Sequence, residues 1–343
     1  MRTIDFRVDV LHGGVPYDRL LYSSPPSIYC DADADIALSM RGEFIRNERV
    51  NYLTDEIRPM IIINGEETPA GVYRFVTRRE AYRAGGHIYD QIEAYDRSIA
   101  LQWAKLESRD FWPAGTPYDT VITHYLTLAG ITNVAFTPSP HVLQSDREDW
   151  DIGTQYLTII NTLLAEINYQ KLWFDLNGVA QIRPYEPPSV ANVRHTYSTA
   201  DGVSFIYPEY ATEVDLYSKP NVFIVILENP EYPEPMTATA VNDTPGSQLS
   251  TISRGIRIPQ VYKVDNIASA EELQNYANKL RDESMQGSEY LEMQSAIMPG
   301  HNPGDTVALA VGEKTGVYRE VSWSFSLQAG TYMSHRLQKV VIL

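Results

Sequence analysis

Hydrophobic and polar positions alternate along most of residues 1–110, the period of a strand with one buried face. Ile4, Phe6, Val8 and Val10 open the pattern, and His12-Gly13-Gly14 turns the chain. Leu20-Leu21-Tyr22 follows, with Ser23-Ser24-Pro25-Pro26 expected to end it. Ile36, Leu38 and Met40 alternate again, and Ile61-Ile62-Ile63 runs into Asn64-Gly65, a strong hairpin signal. Val72, Arg74 and Val76 then oppose Tyr73, Phe75 and Thr77; Gly85-Gly86 reads as a turn, and Ile88 to Tyr95 as a further strand. Strands at this spacing predict an antiparallel barrel or sandwich.

The period changes over residues 111–188. Thr116 and Pro117 fit a helix start, Val121, Ile122, Tyr125, Leu126 and Ala129 its buried face, and Gly130 its stop. Thr154 opens a second helix, with Leu157, Ile160, Leu163, Leu164 and Ile167 as its stripe. Leu172 to Asp175, Asn177-Gly178 and Val179 to Arg183 predict a hairpin. Pro184, Pro187 and Pro188 mark the exit from this helix-helix-hairpin insert.

Strand patterns return over 189–343. Val222–Leu227 is strongly apolar, whereas Asn229–Ser253, rich in Pro, Thr, Ser and Asn, reads as a long loop. A helix is predicted over 270–286: Ser269 and Glu272 stand at capping-box spacing, Leu273, Tyr276, Ala277 and Leu280 recur on one face, and Gly287 ends it. Leu291, Met293 and Ile297 then oppose Glu292 and Gln294, the wetter side of a strand; Val307, Leu309 and Val311 form another. The helix is expected to lie on these strands, anchored by Leu273, Tyr276 and Leu280. After a Gly312–Gly316 hairpin loop, Val317, Arg319, Val321, Trp323, Phe325 and Leu327 are expected on one side of a long strand, and a last strand runs to Leu343. The reading is α+β, mainly β: a β domain at 1–110, an α+β insert at 111–188, and a second β domain at 189–343.

Composition narrows the function classes. The net charge of −16 argues against tight wrapping of nucleic acid and suits a surface past which DNA slides. Tyr is abundant, 23 residues against 9 Phe, which fits interfaces where a ring is buried and a hydroxyl stays wet. The N-terminal MRTIDFRVDV lacks the apolar stretch of a signal peptide, and no run of about 20 apolar residues is present to span a bilayer, so no membrane insertion is expected. Cys30 is alone, which excludes an internal disulfide and a multi-cysteine zinc site.

Candidate chemistry is sparse. Asp31, Asp33 and Asp35 resemble the start of a calcium loop, but Ile36 and Gly42 stand where the loop needs Gly and a bidentate Glu. The seven histidines (His12, His87, His124, His141, His195, His301 and His335) show no metal-ligand spacing, and structural roles are the default. No nucleophile elbow, phosphate loop or dinucleotide fingerprint is present. Trp103, Trp112, Trp150, Trp173 and Trp323 are too scattered to form an obvious sugar platform. No catalytic, cofactor-binding or metal residue is assigned, no cofactor is expected, and a structural role is preferred to an enzyme.

Several stretches together resemble the baseplate hub proteins of phage tails, the late-control protein D and type VI spike hub-domain superfamily, and most of all hubs from phages of Gram-positive hosts. They are Asn51 to Pro59 leading to Asn64-Gly65 and Gly71-Val72-Tyr73; Glu93 to Arg97 with Ala100-Leu101; Tyr156 to Tyr169 with Trp173 to Gly178; and the 270–286 helix with Pro303-Gly304-Asp305 and Tyr318 to Ser324. The resemblance implies two tail-tube-like β-barrel domains, each with a flanking helix. It implies a homotrimer of pseudo-sixfold symmetry in the virion tail baseplate, assembled in the host cytoplasm. The implied partners are a tail tube or distal tail protein, a spike, tip or tape-measure protein, and other baseplate proteins, with DNA only in transit. The alternative is a tail-associated cell-wall hydrolase or carbohydrate-binding tip module.

Overall fold

The protein is seen in a computed structural model that describes residues 2–82, 88–148, 150–199, 205–214, 219–228, 236–285 and 289–340. The Gly85-Gly86 turn, the Gly287 helix stop and the end of the last strand at Leu343 lie outside them, as do residues 229–235 of the expected loop.

The first region holds β1 (Ile4–His12), β2 (Val15–Arg19), β3 (Tyr22–Asp31), β4 (Leu38–Ile45), β5 (Glu56–Ile63), β6 (Glu66–Pro69), β7 (Tyr73–Tyr82) and β8 (Ile88–Asp96). Asn64 and Gly65 both take positive φ between β5 and β6, the two left-handed positions that a tight hairpin requires. Ser23 to Pro26 do not end a strand: they lie within β3, and the pairing with β4 shifts register between Ser24 and Ser27. The irregular ladder leaves places for residues without an amide hydrogen.

α1 (Ser98–Trp103) ends the first region, and the insert comprises α2 (Tyr118–Leu128), β9 (Val134–Phe136), α3 (Tyr156–Glu166), β10 (Trp173–Phe174) and β11 (Ala180–Ile182). Its two longer helices close over their own core, which contains Val121, Tyr125, Ile160, Leu164, Phe174 and Ile182. Thr116 does not cap α2; its hydroxyl donates back to the Pro113 carbonyl, and Pro117 occupies the cap position. The β10–β11 turn docks on the first region. Arg97 donates to the Gly178 carbonyl at 2.7 Å, and a Cβ at Gly178 would lie 2.9 Å from the Val72 side chain. Together with its φ of +73°, this approach requires glycine.

The rest of the chain forms β12 (Val193–Ser198), β13 (Ile206–Val214), β14 (Val222–Leu227), β15 (Met236–Val241), α4 (Thr251–Arg254), β16 (Pro259–Val264), α5 (Ala270–Met285), β17 (Glu289–Ala296), β18 (Thr306–Val311), β19 (Lys314–Ser326) and β20 (Tyr332–Lys339). The expected long loop therefore contains a strand, β15, and a short helix, α4. Thr and Ala alternate along β15, and its buried positions are the small Ala238 and Ala240, with Met236 half-buried on the same face, which hid a strand inside a polar composition. α5 starts as expected: the Ser269 hydroxyl accepts from the Glu272 amide at 3.1 Å. Its packing differs from expectation. Leu273, Ala277 and the half-buried Tyr276 and Leu280 rest on β14 and β15, against Val225, Leu227, Ala238 and Ala240, not on β17 and β18.

Strands from both β regions join one 14-stranded sheet, ordered β13-β17-β20-β19-β3-β4-β8-β7-β5-β1-β2, with β6, β12 and β18 paired at its sides. The described strands form this open path rather than two closed barrels. The physical reason is the β3–β19 ladder, Ser322↔Asp31 to Ser326↔Ser27, which continues each region's sheet into the other. One core accordingly draws on both: Ile28, Met40, Phe44 and Ile57 pack with Trp323, Phe325 and Met333. Among the described residues, no helix is long and apolar enough to cross a membrane.

Candidate functional site

Two features gather polar groups in this fold: one face of the large sheet, and a buried knot of histidines behind it.

The sheet face is built by register. Gln294, Ser334, Ser324, Tyr29, Ser39, Tyr95, Arg74 and Glu56 stand opposite one another in turn, one from each of eight neighbouring strands. Directly opposed residues share a face, so this is one polar row. A second row runs through Ser326, Ser27, Arg41, Glu93 and Thr77. Alternation sends Trp323, Phe325, Ile28, Cys30, Met40 and Ala94 to the apolar side. Most of the first row carries hydroxyl or amide groups; its charges, Arg74 and Glu56, pair at 3.2 Å. In the second row, Arg41 pairs with Glu93 at 2.5 Å, and Tyr95 donates to the same carboxylate at 2.9 Å. The charges in these two rows are thus paired within the rows, although the chain carries −16. Near β13 it dips into a groove of about 590 Å³ lined by Tyr29, Tyr207, Tyr210, Gln294, Ser324 and Arg336. Glu292 and Gln294, expected on the wetter side of their strand, are exposed there.

The buried knot lies in the late β region. Glu320 on β19 accepts from His301 Nδ1 and from His335 Nδ1, each at 2.5 Å. His301 Nε2 is 3.0 Å from the Tyr197 hydroxyl, and His335 Nε2 is 2.8 Å from the Ser295 hydroxyl. His195 stacks on His301 with ring centroids 3.6 Å apart and meets Asp305 at 3.3 Å. The ligand atoms of His301, Glu320 and His335 lie within 4.8 Å of one another, as compact as a metal site. Yet every ring nitrogen of His301 and His335 already meets a hydroxyl or the carboxylate. Each Nδ1–H donates to Glu320, His301 Nε2 meets the Tyr197 hydroxyl, and His335 Nε2 meets Ser295, whose hydroxyl also donates to the Ala296 carbonyl at 2.9 Å, so every ring nitrogen is engaged in hydrogen bonding. Burial pushes the Glu320 carboxyl up, but the two histidines outweigh it and pull it to about 2. Sequence spacing missed this cluster because its members sit on β12, β17, β19, β20 and the loop before β18, which only the sheet brings together.

The other candidates resolve more simply. The Asp31–Asp35 loop already holds a cation: Lys171 Nζ from the insert donates to the carbonyls of Asp33 and Ala34 at 2.7 and 2.5 Å. Arg319 pairs with the Asp33 carboxylate at 2.7 Å. Burial lowers the Lys171 ammonium from its usual range. Cys30 is buried in the core, and burial raises its thiol well above the ordinary value. Trp112 and Trp150 meet around Tyr125 in the insert core, Trp323 lies in the large core, and Trp103 is exposed. Trp173 is covered by the Arg183 guanidinium at 5.1 Å. His12 meets Asp55 at 2.8 Å, His124 packs on Trp112 and His141 lies 3.4 Å from Glu272; His87 is outside the described residues.

No protein-family model matches the chain, and no curated protein matches it in sequence. Solved structures do match. A tail protein from Neisseria meningitidis MC58 superposes with a TM-score of 0.66 at 14% identity, covering 98% of this chain and 97% of that one. A 43 kDa tail protein of prophage MuSo2 from Shewanella oneidensis gives 0.66 at 11%, covering 98% of each. The prophage tail protein gp18 from Listeria monocytogenes EGD-e gives 0.60 at 13%, covering 97% and 94%. These likenesses come from three bacterial sources, so the fold does not single out a host. The chain has, over nearly its whole length, the fold of phage tail proteins.

Proposed function

We propose that this chain is a structural baseplate hub: three copies form a pseudo-sixfold ring at the distal end of a phage or phage-like tail. The two β regions, 1–110 and 189–343, act as the two tube-like units that let three chains meet a sixfold tube, and the insert at 111–188 projects from them. The ring joins the tail tube to the tip and lets DNA pass. Fold likeness to phage tail proteins supports the setting. The observation that carries the reading is the polar face of the large sheet, unbroken across the join between the two regions. A wall of Ser, Tyr and Gln with internally paired charges gives a passing polyanion neither a cationic trap nor a dense carboxylate barrier. Among the described residues β13 and β2 each pair on one side only, and their open edges are suited to continue the sheet between copies.

Imaging of the assembled particle with this chain located is the test. Three copies are expected around a bore, with Tyr29, Ser324 and Ser334 facing the axis. A different copy number, or an outward-facing Ser324 row, overturns the proposal.

A further inference from the structure

The three parts of the chain meet at a cleft of about 490 Å³. Six cations line it: Lys171 and Arg183 from the insert, Arg194 on β12, Lys219 before β14, Lys279 on α5 and Arg319 on β19. Four carboxylates accompany them, Asp33, Glu186, Glu283 and Asp305, so the cleft is net cationic on a chain of net charge −16. A smaller hollow of about 290 Å³ shares Trp173, Arg183, Arg194 and Asp305 with it and extends it towards His195 and Gly300. Four of the cations have work within the fold: Lys171 holds the Asp33 and Ala34 carbonyls, Arg319 pairs with Asp33, Arg183 donates to the Gln170 side-chain carbonyl at 3.3 Å, and Lys279 donates to the Tyr169 carbonyl at 3.4 Å. Among the described residues, the side chains of Arg194 and Lys219 make neither an ion pair nor a hydrogen bond.

We propose that this trough is a docking site for an extended acidic peptide segment of a neighbouring protein, whose carboxylates pair with Arg194, Lys219 and Arg183. Charge complementarity sets the occupant: the chain as a whole is acidic and repels such a segment, whereas in this groove six cations converge with four carboxylates. Single-stranded nucleic acid fits less well. It binds by stacking bases on open aromatic faces, but Trp173 is covered by Arg183 and Tyr185 by Lys279, whose ammonium lies 4.9 Å from the ring. The four carboxylates among the cations also favour a ligand of mixed character over a uniform chain of phosphates. The inference does not depend on the hub reading, since it concerns this cleft alone.

The experiment measures fluorescence anisotropy of a labelled peptide of alternating Glu and Ser, on the full chain at low salt. A Gly-Ser peptide of the same length and an oligothymidylate serve as comparisons. The Glu-Ser peptide is expected to bind more tightly than either, and the double variant R194Q/K219Q to weaken it by about tenfold or more. Among the described residues neither side chain has a partner, so an unchanged melting curve will show that the variant is folded, and R194K should retain part of the affinity. Equal binding of the Gly-Ser peptide, or an unchanged affinity in the double variant, overturns the site. Tighter binding of the oligothymidylate overturns the choice of occupant.

Discussion

At the residue scale, Glu320 shows how a buried charge is stabilised by placement. It has almost no solvent contact, and isolation alone would keep its carboxyl protonated. Electrostatic attraction to His301 and the hydrogen bonds from His301 and His335 outweigh this and lower it to about 2 from the ordinary 4.5. The sign follows from linkage: a depressed folded value contributes stability that is complete above about pH 4.5 and is lost as the pH falls towards 2. The shift corresponds to roughly 3 kcal/mol. E320Q replaces one acceptor by a donor facing a donor, and is expected to lower stability at neutral pH by roughly that amount. Urea unfolding from pH 7 down to pH 3 should show the gap between wild type and variant narrowing as acid is added. A gap that stays constant would mean that Glu320 carries no such charge. The sequence offered His301, Glu320 and His335 as three unremarkable residues, because contact across strands leaves no trace in spacing.

Among the elements, α5 and β19 separate what local pattern specifies from what it leaves open. α5 is written locally: its cap, its apolar stripe at three- and four-residue spacing, and two acidic residues in its first turn all agree. S269A should cost about 1 kcal/mol, read as a lower midpoint in chemical unfolding. An unchanged midpoint would show that the Ser269–Glu272 contact contributes nothing. What the stripe packs on was misplaced, on β17 and β18 instead of β14 and β15, since any apolar sheet satisfies the stripe and the small alanines of β15 gave little sign of being that sheet. β19 shows the limit of alternation. Val317 to Leu327 read as one face, yet the pairing with β20 shifts between Glu320 and Ser322. Before the shift Tyr318 and Glu320 point inward; after it Trp323 and Phe325 do. An extra residue in a ladder moves all later side chains to the other face, and no hydrophobicity pattern announces where it falls. The bulge lets one strand serve two cores, that of Tyr318 with Leu337 and that of Phe325 with Ile28.

On the scale of the whole molecule, that shared core makes a prediction about cooperativity. Phe325 belongs to the late region but is buried among residues of the first. F325A should cost about 3–5 kcal/mol and lower the stability of β3, β4 and β8 together with β19 and β20. Hydrogen exchange followed segment by segment tests this: loss of protection confined to 189–343 would mean that the two regions unfold independently.

The mainly β character, the helices and hairpin of the middle stretch, and the start and apolar stripe of α5 were legible in the sequence, because each depends on neighbours only a few residues apart. So was the resemblance to phage tail proteins, carried by the order of short motifs. The tertiary structure alone decided that the two β regions share one open sheet, that their polar residues align in rows, and that histidines from distant segments converge on Glu320. Those outcomes depend on which strand edges meet and in what register. That is settled by the free energy of burying whole faces together, a sum over residues far apart in the chain that no local window contains.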